Sequence, residues 1–193
     1  NLLGAEQSGF ITDMGFETYQ KILAEAMEEL GFETGISSRS SGDNFVSDCT
    51  IETDQLALIP DSYIDMTAEK IRIYKELDSL TSEKDLINMK NRLTDRFGKM
   101  PVELERLFDI VRIRQLGQKL GFEKIIIKNG VMIAFFITNP LSQYYRSDRF
   151  SKVLENVNLN PKLFEIKQPD GRLRIMVRNV DGISKAYDIL KKL

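Results

Sequence analysis

Two turn signals in the last third of the chain constrain its fold more than any other feature. One is Asn129-Gly130 and the other is Pro169-Asp170-Gly171. Each turn lies between two short segments that carry β-branched and aromatic residues; the segments are 124–128, 131–138, 163–168 and 172–178. Asn-Gly between two such segments is typical of a tight β-hairpin, and Pro-Asp-Gly is typical of a slightly longer turn. The chain is therefore predicted to contain two hairpins.

Helical patterns surround these hairpins. A helical stretch from about Ser142 to Asn156 separates them, and a final helix with Asp181 as its N-cap runs to Leu193. Three helices are predicted ahead of the first hairpin, at 67–80, 82–97 and 101–120, the second of them capped by Ser82. The order of the elements predicts an α+β fold, in which a helical amino-terminal part is followed by a small antiparallel sheet in the order hairpin–helix–hairpin–helix.

Changes of composition divide the chain into three parts. Residues 1–31 combine a glycine-containing loop with a helical pattern that starts at Phe16. Residues 32–60 are first rich in Gly and Ser and then extended as far as Pro60, so we predict a flexible linker followed by an extended segment. Residues 61–193 are predicted to form one α+β domain.

The composition excludes several kinds of chemistry. The chain has no histidine, a single cysteine, and a formal net charge of −2. Histidine-dependent catalysis, histidine-containing metal sites and an internal disulfide are therefore excluded, and the basic excess typical of a phosphate-binding surface is missing. No Gly-x-x-x-x-Gly-Lys-Ser/Thr motif occurs. We predict no catalytic residue, no metal site and no cofactor in this chain.

Two glycine-containing segments remain as candidate sites. In the loop from Gly4 to Gly9, Gln7 can both donate and accept hydrogen bonds, although a simple turn explains the same pattern. The segment from Asp95 to Pro101 ends one helix and begins the next. Its Asp95 and Arg96 are not needed for that turn, so a charged corner for docking is the second interpretation.

A third candidate combines aromatic and cationic residues. Tyr144, Tyr145, Arg146 and Arg149 follow closely on one another, as on a surface that binds single-stranded nucleic acid. Packing of one or two of these aromatic rings in the core explains the same residues. Both interpretations stay open at the level of sequence.

Several motifs resemble, in the same order, the Mfd family of bacterial transcription-repair coupling factors. Residues 1–9 with 15–19 are similar to the tail of the second motor domain in that family and to a segment of the RecG helicases. The motifs similar to the family's carboxy-terminal domain are 58–64, 74–75, 95–101 and 116–121. The resemblance covers residues 1 to about 125, and the remainder fits by its order of hairpins and helices.

The resemblance implies a fragment of an ATP-driven translocase on double-stranded DNA, which removes stalled RNA polymerase and recruits the UvrA repair machinery. ATP and Mg would bind in the parent motor, upstream of this chain. The implied role of the carboxy-terminal domain is autoinhibitory: it masks the protein's own amino-terminal UvrA-binding domain. With no signal peptide and no apolar stretch long enough to span a bilayer, a cytoplasmic bacterial protein without a membrane partner is expected.

The resemblance also implies roles for single residues. The glutamine of the family's translocation motif corresponds to Gln7, between Gly4 and Gly9, and its partner arginine would lie upstream. The family's acidic contact at the helix corner corresponds to Asp95, beside Arg96. A second family acid corresponds to Arg92, a reversed charge that implies a different arrangement of ion pairs. The alternative function is an accessory module that contacts nucleic acid directly through the Tyr144–Arg149 segment.

Overall fold

The computed structural model describes residues 45–193, which divide into two compact units. Within that part of the chain, unit 1 comprises residues 56–111, and unit 2 comprises residues 45–55 together with 112–193. Three predictions lie outside the described residues: the loop with Gly4, Gln7 and Gly9, the helix from Phe16, and nearly all of the linker.

Unit 1 is built from helices. Helix α1 spans Thr67–Ser79, helix α2 spans Glu83–Phe97, and helix α3 spans Val102–Leu120, of which the part up to Val111 belongs to unit 1. The Ser82 hydroxyl accepts a hydrogen bond from the Asp85 amide at 3.2 Å, which confirms the predicted N-cap of α2. Apolar residues at helical spacing are buried in this unit: Ile73, Leu77, Leu86, Met89, Leu93, Leu104 and Leu107.

Unit 2 contains a five-stranded sheet. The strands are β1 Thr50–Thr53, β2 Phe122–Lys128, β3 Val131–Phe136, β4 Glu165–Lys167 and β5 Arg174–Arg178. Their order in the sheet is β1-β2-β3-β5-β4. The pairs β2–β3 and β4–β5 are antiparallel, which confirms both hairpins and the α+β class.

Strand β1 pairs with β2 in the parallel direction, so the sheet is mixed rather than wholly antiparallel. A parallel pair needs a long crossover connection, and residues 54–121 supply one. The extended segment predicted from Val46 to Pro60 is a strand only at Thr50–Thr53. Its pairing direction depends on the crossover, which the local sequence of the strand does not encode.

The helices of unit 2 correct two predictions. The stretch expected from Ser142 to Asn156 consists of a one-turn 3-10 helix, Gln143–Arg146, and helix α4, Asp148–Leu159. The Ser147 hydroxyl separates them because it caps α4 through the Phe150 amide, at 3.3 Å.

The prediction that Asp181 caps the last helix is wrong. Helix α5 spans Ile183–Leu190, and its N-cap position is Gly182. The Ile183 amide donates instead to the side-chain oxygen of Gln55, at 2.9 Å, while Asp181 is exposed. A side chain 128 positions away in sequence therefore satisfies the helix end.

The two faces of the sheet differ in their surroundings. The buried residues on one face, here called the covered face, are Ile51, Ile125, Ile127, Met132, Ala134, Phe136, Ile175 and Val177. Helices α3 and α4 contact this face: Gly117 lies against Cys49 and Ile125, and the rings of Phe136 and Phe150 are 5.6 Å apart. On the opposite, open face, the apolar side chains are only partly buried.

Candidate functional site

The turn between α2 and α3, residues 92–101, forms a charged helix corner in unit 1. The single hydrogen of the Tyr63 hydroxyl has two acceptors within reach, the Leu93 carbonyl oxygen at 3.1 Å and the Gly98 carbonyl oxygen at 2.9 Å. The Gly98 amide donates to the Thr94 carbonyl oxygen at 2.9 Å. These contacts tie the carboxyl end of α2 to Tyr63 and satisfy the Thr94 carbonyl group, so the corner has a fixed backbone.

Residues of the motif at 58–64 bond to the helix corner and to helix α1. Besides the Tyr63 bonds, the Ile59 amide donates to the Tyr74 hydroxyl at 2.9 Å. Asp61 pairs with the ammonium group of Lys70, which is 1% exposed. A buried ammonium needs such a partner because its desolvation is costly. The motif thus has a structural explanation within unit 1.

The exposed Arg96 side chain extends from the corner to Glu69 of α1. Its guanidinium lies 2.6 Å from a Glu69 carboxylate oxygen and 4.7 Å from the centre of the Phe97 ring. Glu69 also accepts from Arg72, and hydrogen bonding from that guanidinium is the main reason why the pKa of Glu69 is below its usual range. One carboxylate therefore joins two arginines on two helices.

Arg92 likewise faces α1, where it pairs with Glu76. The sequence placed Arg92, Asp95 and Arg96 together as a docking site; in the structure the two arginines are engaged within unit 1. Asp95 is exposed, and no hydrogen bond or ion pair holds its carboxylate within residues 45–193.

The position of Asp95 is electrostatically unfavourable. It lies in the last turn of α2, where the helix dipole favours a cation. An acid at that position is unfavourable for the helix, and residues 45–193 supply no ion-pair partner that would offset this. The corner therefore presents the Asp95 carboxylate, with the exposed Lys99 four positions away, and such a carboxylate can pair with a cation on another protein surface.

Sequence reasoning missed the acids that hold the two arginines. Glu69 and Glu76 are seven residues apart on α1, and Arg92 and Arg96 are four residues apart on α2. Both spacings place the pair on one side of its helix. Two acids on one helix face and two arginines on the next helix could have predicted two ion pairs between α1 and α2.

The aromatic residues of the third candidate belong to the core of unit 2. Tyr144 is 0% exposed and its hydroxyl donates to the Leu120 carbonyl oxygen. Tyr145 is partly buried, donates to the Ile137 carbonyl oxygen, and lies 5.0 Å from the Phe150 ring. Packing therefore accounts for both rings in this structure, and the ring of Tyr144 has no face open for stacking on a base.

The two cations of that segment have different surroundings. Arg146 is exposed, whereas Arg149 lines a cavity of about 610 Å³ in unit 2. The other lining residues are Phe45, Leu120, Ser147, Asp148, Lys152, Val153 and Leu193. The structure thus separates the aromatic side chains of this candidate from its accessible charge.

Reactive and metal-ligating chemistry is not evident in the described part of the chain. No group of three or more Cys, Asp and Glu side chains within residues 45–193 could hold a metal ion. Burial raises the pKa of the Cys49 thiol to about 12, with the neighbouring Asp48 carboxylate acting in the same direction, so the thiol stays protonated near neutral pH. No helix among the described residues is long and apolar enough to cross a membrane.

Comparisons with known proteins identify relatives over most of the chain. The family model described as TRCF domain matches residues 53–147. A transcription-repair-coupling factor of Staphylococcus epidermidis is 35% identical over 180 residues, which is 93% of this chain and 14% of that protein. The corresponding factor of Rickettsia typhi is 33% identical over 193 residues, 98% of this chain and 16% of that protein. The chain therefore spans about one seventh of the length of these relatives.

A solved structure shares the fold. The crystal structure of a C-terminal domain of transcription-repair coupling factor matches with a TM-score of 0.62 at 17% sequence identity. The match covers 75% of this chain and 88% of that chain. At this identity the likeness concerns the fold alone.

Proposed function

The chain belongs to the family of transcription-repair-coupling factors, of which it contains the TRCF domain, and from that premise we propose that it is a non-catalytic regulatory module of such a factor. In this proposal the helix corner docks on the amino-terminal UvrA-binding domain of the same protein and masks it. The observation that carries the proposal is Asp95, an exposed carboxylate without a partner in the described residues, fixed at an unfavourable end of α2.

The proposed contact between the corner and the UvrA-binding domain is expected to be weak. An exposed ion pair stabilises a contact by only about 0–1 kcal/mol, so Asp95 supplies specificity within a broader interface. When two surfaces belong to one chain, their effective concentration reaches roughly the millimolar range, and a weak contact is then populated. A modest competing interaction elsewhere in the protein can release it, as a switch requires.

The proposal includes the activity of the whole protein. It is proposed to be an ATP-driven translocase on double-stranded DNA that removes stalled RNA polymerase and recruits UvrA, in the bacterial cytoplasm. ATP and Mg are assigned to its motor and not to this chain. Gly4, Gln7 and Gly9 are proposed as the end of the translocation motif.

Calorimetric titration tests the masking contact. The chain is titrated with the UvrA-binding domain of the same factor, first as wild type and then as Asp95→Arg. We expect the reversal of charge to weaken binding at least about fivefold, equivalent to about 1 kcal/mol, and raised salt to weaken the wild-type contact.

Asp181→Arg is the matched control because it makes the same change of charge at a site that is 89% exposed in unit 2. It should leave the affinity unchanged. Equal affinities for wild type and Asp95→Arg would refute a role for this carboxylate. A loss with both variants would point to the net charge of the chain instead of the corner.

The alternative function, direct contact with nucleic acid, has less support. Of the four residues that suggested it, Tyr144 is buried and Tyr145 is partly buried with its hydroxyl engaged. Of the four, only Arg146 is exposed. The test is the electrophoretic mobility of labelled DNA in the presence of the chain. A mobility shift that depends strongly on salt and that Arg146→Glu abolishes would support this alternative.

A further inference from the structure

The open face of the sheet in unit 2 presents three cross-strand rows of side chains. The central row is Glu52, Ile126, Ile133, Met176 and Glu165. The row on one side is Lys124, Phe135, Arg174 and Lys167, and the row on the other side is Lys128, Val131 and Arg178. Side chains in one row are direct neighbours, because residues in register lie opposite each other. The face therefore has an aliphatic centre with cations on both sides.

Most of these cations are neutralised within the face itself. Glu52 lies 2.7 Å from the Lys124 ammonium and 3.5 Å from that of Lys128. Glu165 lies 3.1 Å from the Arg178 guanidinium and 3.4 Å from the Lys167 ammonium. Each carboxylate at the end of the central row thus holds two cations.

Arg172 and Arg174 differ from these cations because they lie beside an aromatic ring and not beside a carboxylate of the described residues. Their guanidinium carbons lie 4.6 Å and 5.7 Å from the centre of the Phe135 ring. The Nε atom of each is buried and has no hydrogen-bond partner among the described residues, and no carboxylate of residues 45–193 forms an ion pair with either. Both side chains are only partly buried, so two guanidinium charges without a carboxylate partner among residues 45–193 stay available at the open face.

We propose that the open face docks a polypeptide that places apolar side chains on the aliphatic centre and carboxylates beside Arg172 and Arg174. Protein interfaces have this composition: an apolar centre enriched in Met, aromatic residues and Arg, surrounded by a polar rim. The site lies in unit 2 and goes beyond the masking contact of Asp95, which lies in unit 1.

Charge and geometry favour an acidic polypeptide over a nucleic acid. A phosphate backbone is bound by a continuous track of cations, whereas here Glu52 and Glu165 stand at both ends of the central row. Stacking on a base requires an open aromatic face, and the guanidinium of Arg172 lies over the ring of Phe135. Two free guanidiniums beside an aliphatic strip fit one or two carboxylates on an apolar segment.

Selection from a phage-displayed library of random peptides of about 16 residues tests the proposal with a defined probe. The full chain is immobilised, and the selection is repeated on Arg172→Glu/Arg174→Glu. On wild type we expect enriched sequences that combine Asp or Glu with Leu, Ile or Phe. By fluorescence anisotropy, the best peptide should bind the double variant at least tenfold more weakly.

Two further variants keep the result interpretable. Arg172→Gln/Arg174→Gln removes both charges without introducing acids and should also lose at least about fivefold in affinity. Arg146→Glu/Arg149→Glu makes the same change of charge elsewhere in unit 2 and should bind like wild type. Asp95→Arg should also bind like wild type, so failure here and failure of the masking proposal are distinguishable.

Four outcomes would overturn the proposal. One is enrichment of neutral or basic peptides, and another is equal binding to wild type and to both Arg172/Arg174 variants. The third is binding of a single-stranded oligonucleotide of about 20 nucleotides at physiological salt, lost in the same variants, which would assign the face to nucleic acid. A selection that enriches no peptide would also reject it.

Discussion

The helix corner of unit 1 and the open face of unit 2 use ion pairs in the same way, but the groups that carry the two proposed contacts have opposite charges. At the corner, Glu69 and Glu76 pair with Arg96 and Arg92, and Asp95 has no partner in the described residues, with the exposed Lys99 four positions away. In unit 2, two carboxylates on the open face each hold two cations, and the guanidiniums of Arg172 and Arg174 remain. The nearly balanced net charge of −2 conceals this difference. At both candidate surfaces, the internal ion pairs determine which charged groups stay available to a partner.

The glycines that follow the two longest described helices, α2 and α3, differ in how closely they are packed. Gly98 follows α2 in unit 1 with φ of 87°, and a Cβ atom there would meet nothing within 4 Å. Gly121 follows α3 in unit 2 with φ of 93°, and a Cβ atom there would overlap the ring of Tyr144. Both glycines therefore have a backbone conformation that other residues rarely adopt, but only one is also enclosed.

The largest effect that we predict follows from that difference. Gly98→Ala should lower the free energy of unfolding by about 1–3 kcal/mol, through backbone strain alone. Gly121→Ala adds overpacking against a buried aromatic ring, which brings the loss to at least about 3 kcal/mol. Urea denaturation followed by circular dichroism measures both variants. If the two losses were equal, packing around Tyr144 would be looser than the structure has it.

The second prediction compares the two faces of the sheet in unit 2. Cys49 lies on the covered face, 1% exposed and with its pKa raised to about 12, whereas the next residue, Thr50, is exposed. At mildly alkaline pH we expect iodoacetamide to modify native Cys49 at least about 100-fold more slowly than the urea-unfolded chain, because labelling requires opening of the fold. Mass spectrometry measures the rates.

Its control moves the thiol by one residue. Thr50→Cys in a Cys49→Ala background should react in the native state at nearly the rate of the unfolded chain. Because the folded pKa of Cys49 lies above the unfolded one, its stabilising contribution is complete below the unfolded pKa and is lost as pH rises toward 12. Fast native labelling of Cys49 would show that the covered face opens readily.

Local sequence patterns predicted where the helices, strands and turns lie better than they predicted which elements contact one another. The Asn129-Gly130 turn and the Ser82 cap depend on residues next to each other, and both were confirmed. The end of α5 is capped by Gln55, and the direction of β1 is set by a crossover of more than 60 residues. Such long-range contacts leave no local pattern, so the sequence could not supply them.

The candidate sites show the same limit. Arg92, Asp95 and Arg96 were recognised as one charged segment, but their separation into paired arginines and a lone acid depends on Glu69 and Glu76 of another helix. The open face was not found at all. It consists of alternate residues on five strands, and each strand by itself has only an ordinary mixture of cations and aliphatic residues.

The smallest predicted effect is a difference in stability between variants of Glu69, which is paired with two arginines, and of Asp95, which has no partner in the described residues. Glu69→Gln should lower the free energy of unfolding by less than about 1 kcal/mol, since ion pairs with exposed partners such as Arg72 and Arg96 stabilise a fold only weakly. Asp95→Asn should leave it unchanged or raise it by up to about 0.5 kcal/mol, since it removes an acid from the last turn of α2. The folded pKa of Glu69 is lowered, so its contribution is present above the unfolded pKa and lost as pH falls through the folded one. In urea titrations, the difference between Glu69→Gln and wild type should therefore vanish at low pH. A clear loss of stability in Asp95→Asn at neutral pH would mean that this carboxylate is part of the fold, and the reason for placing its partner on another surface would be gone.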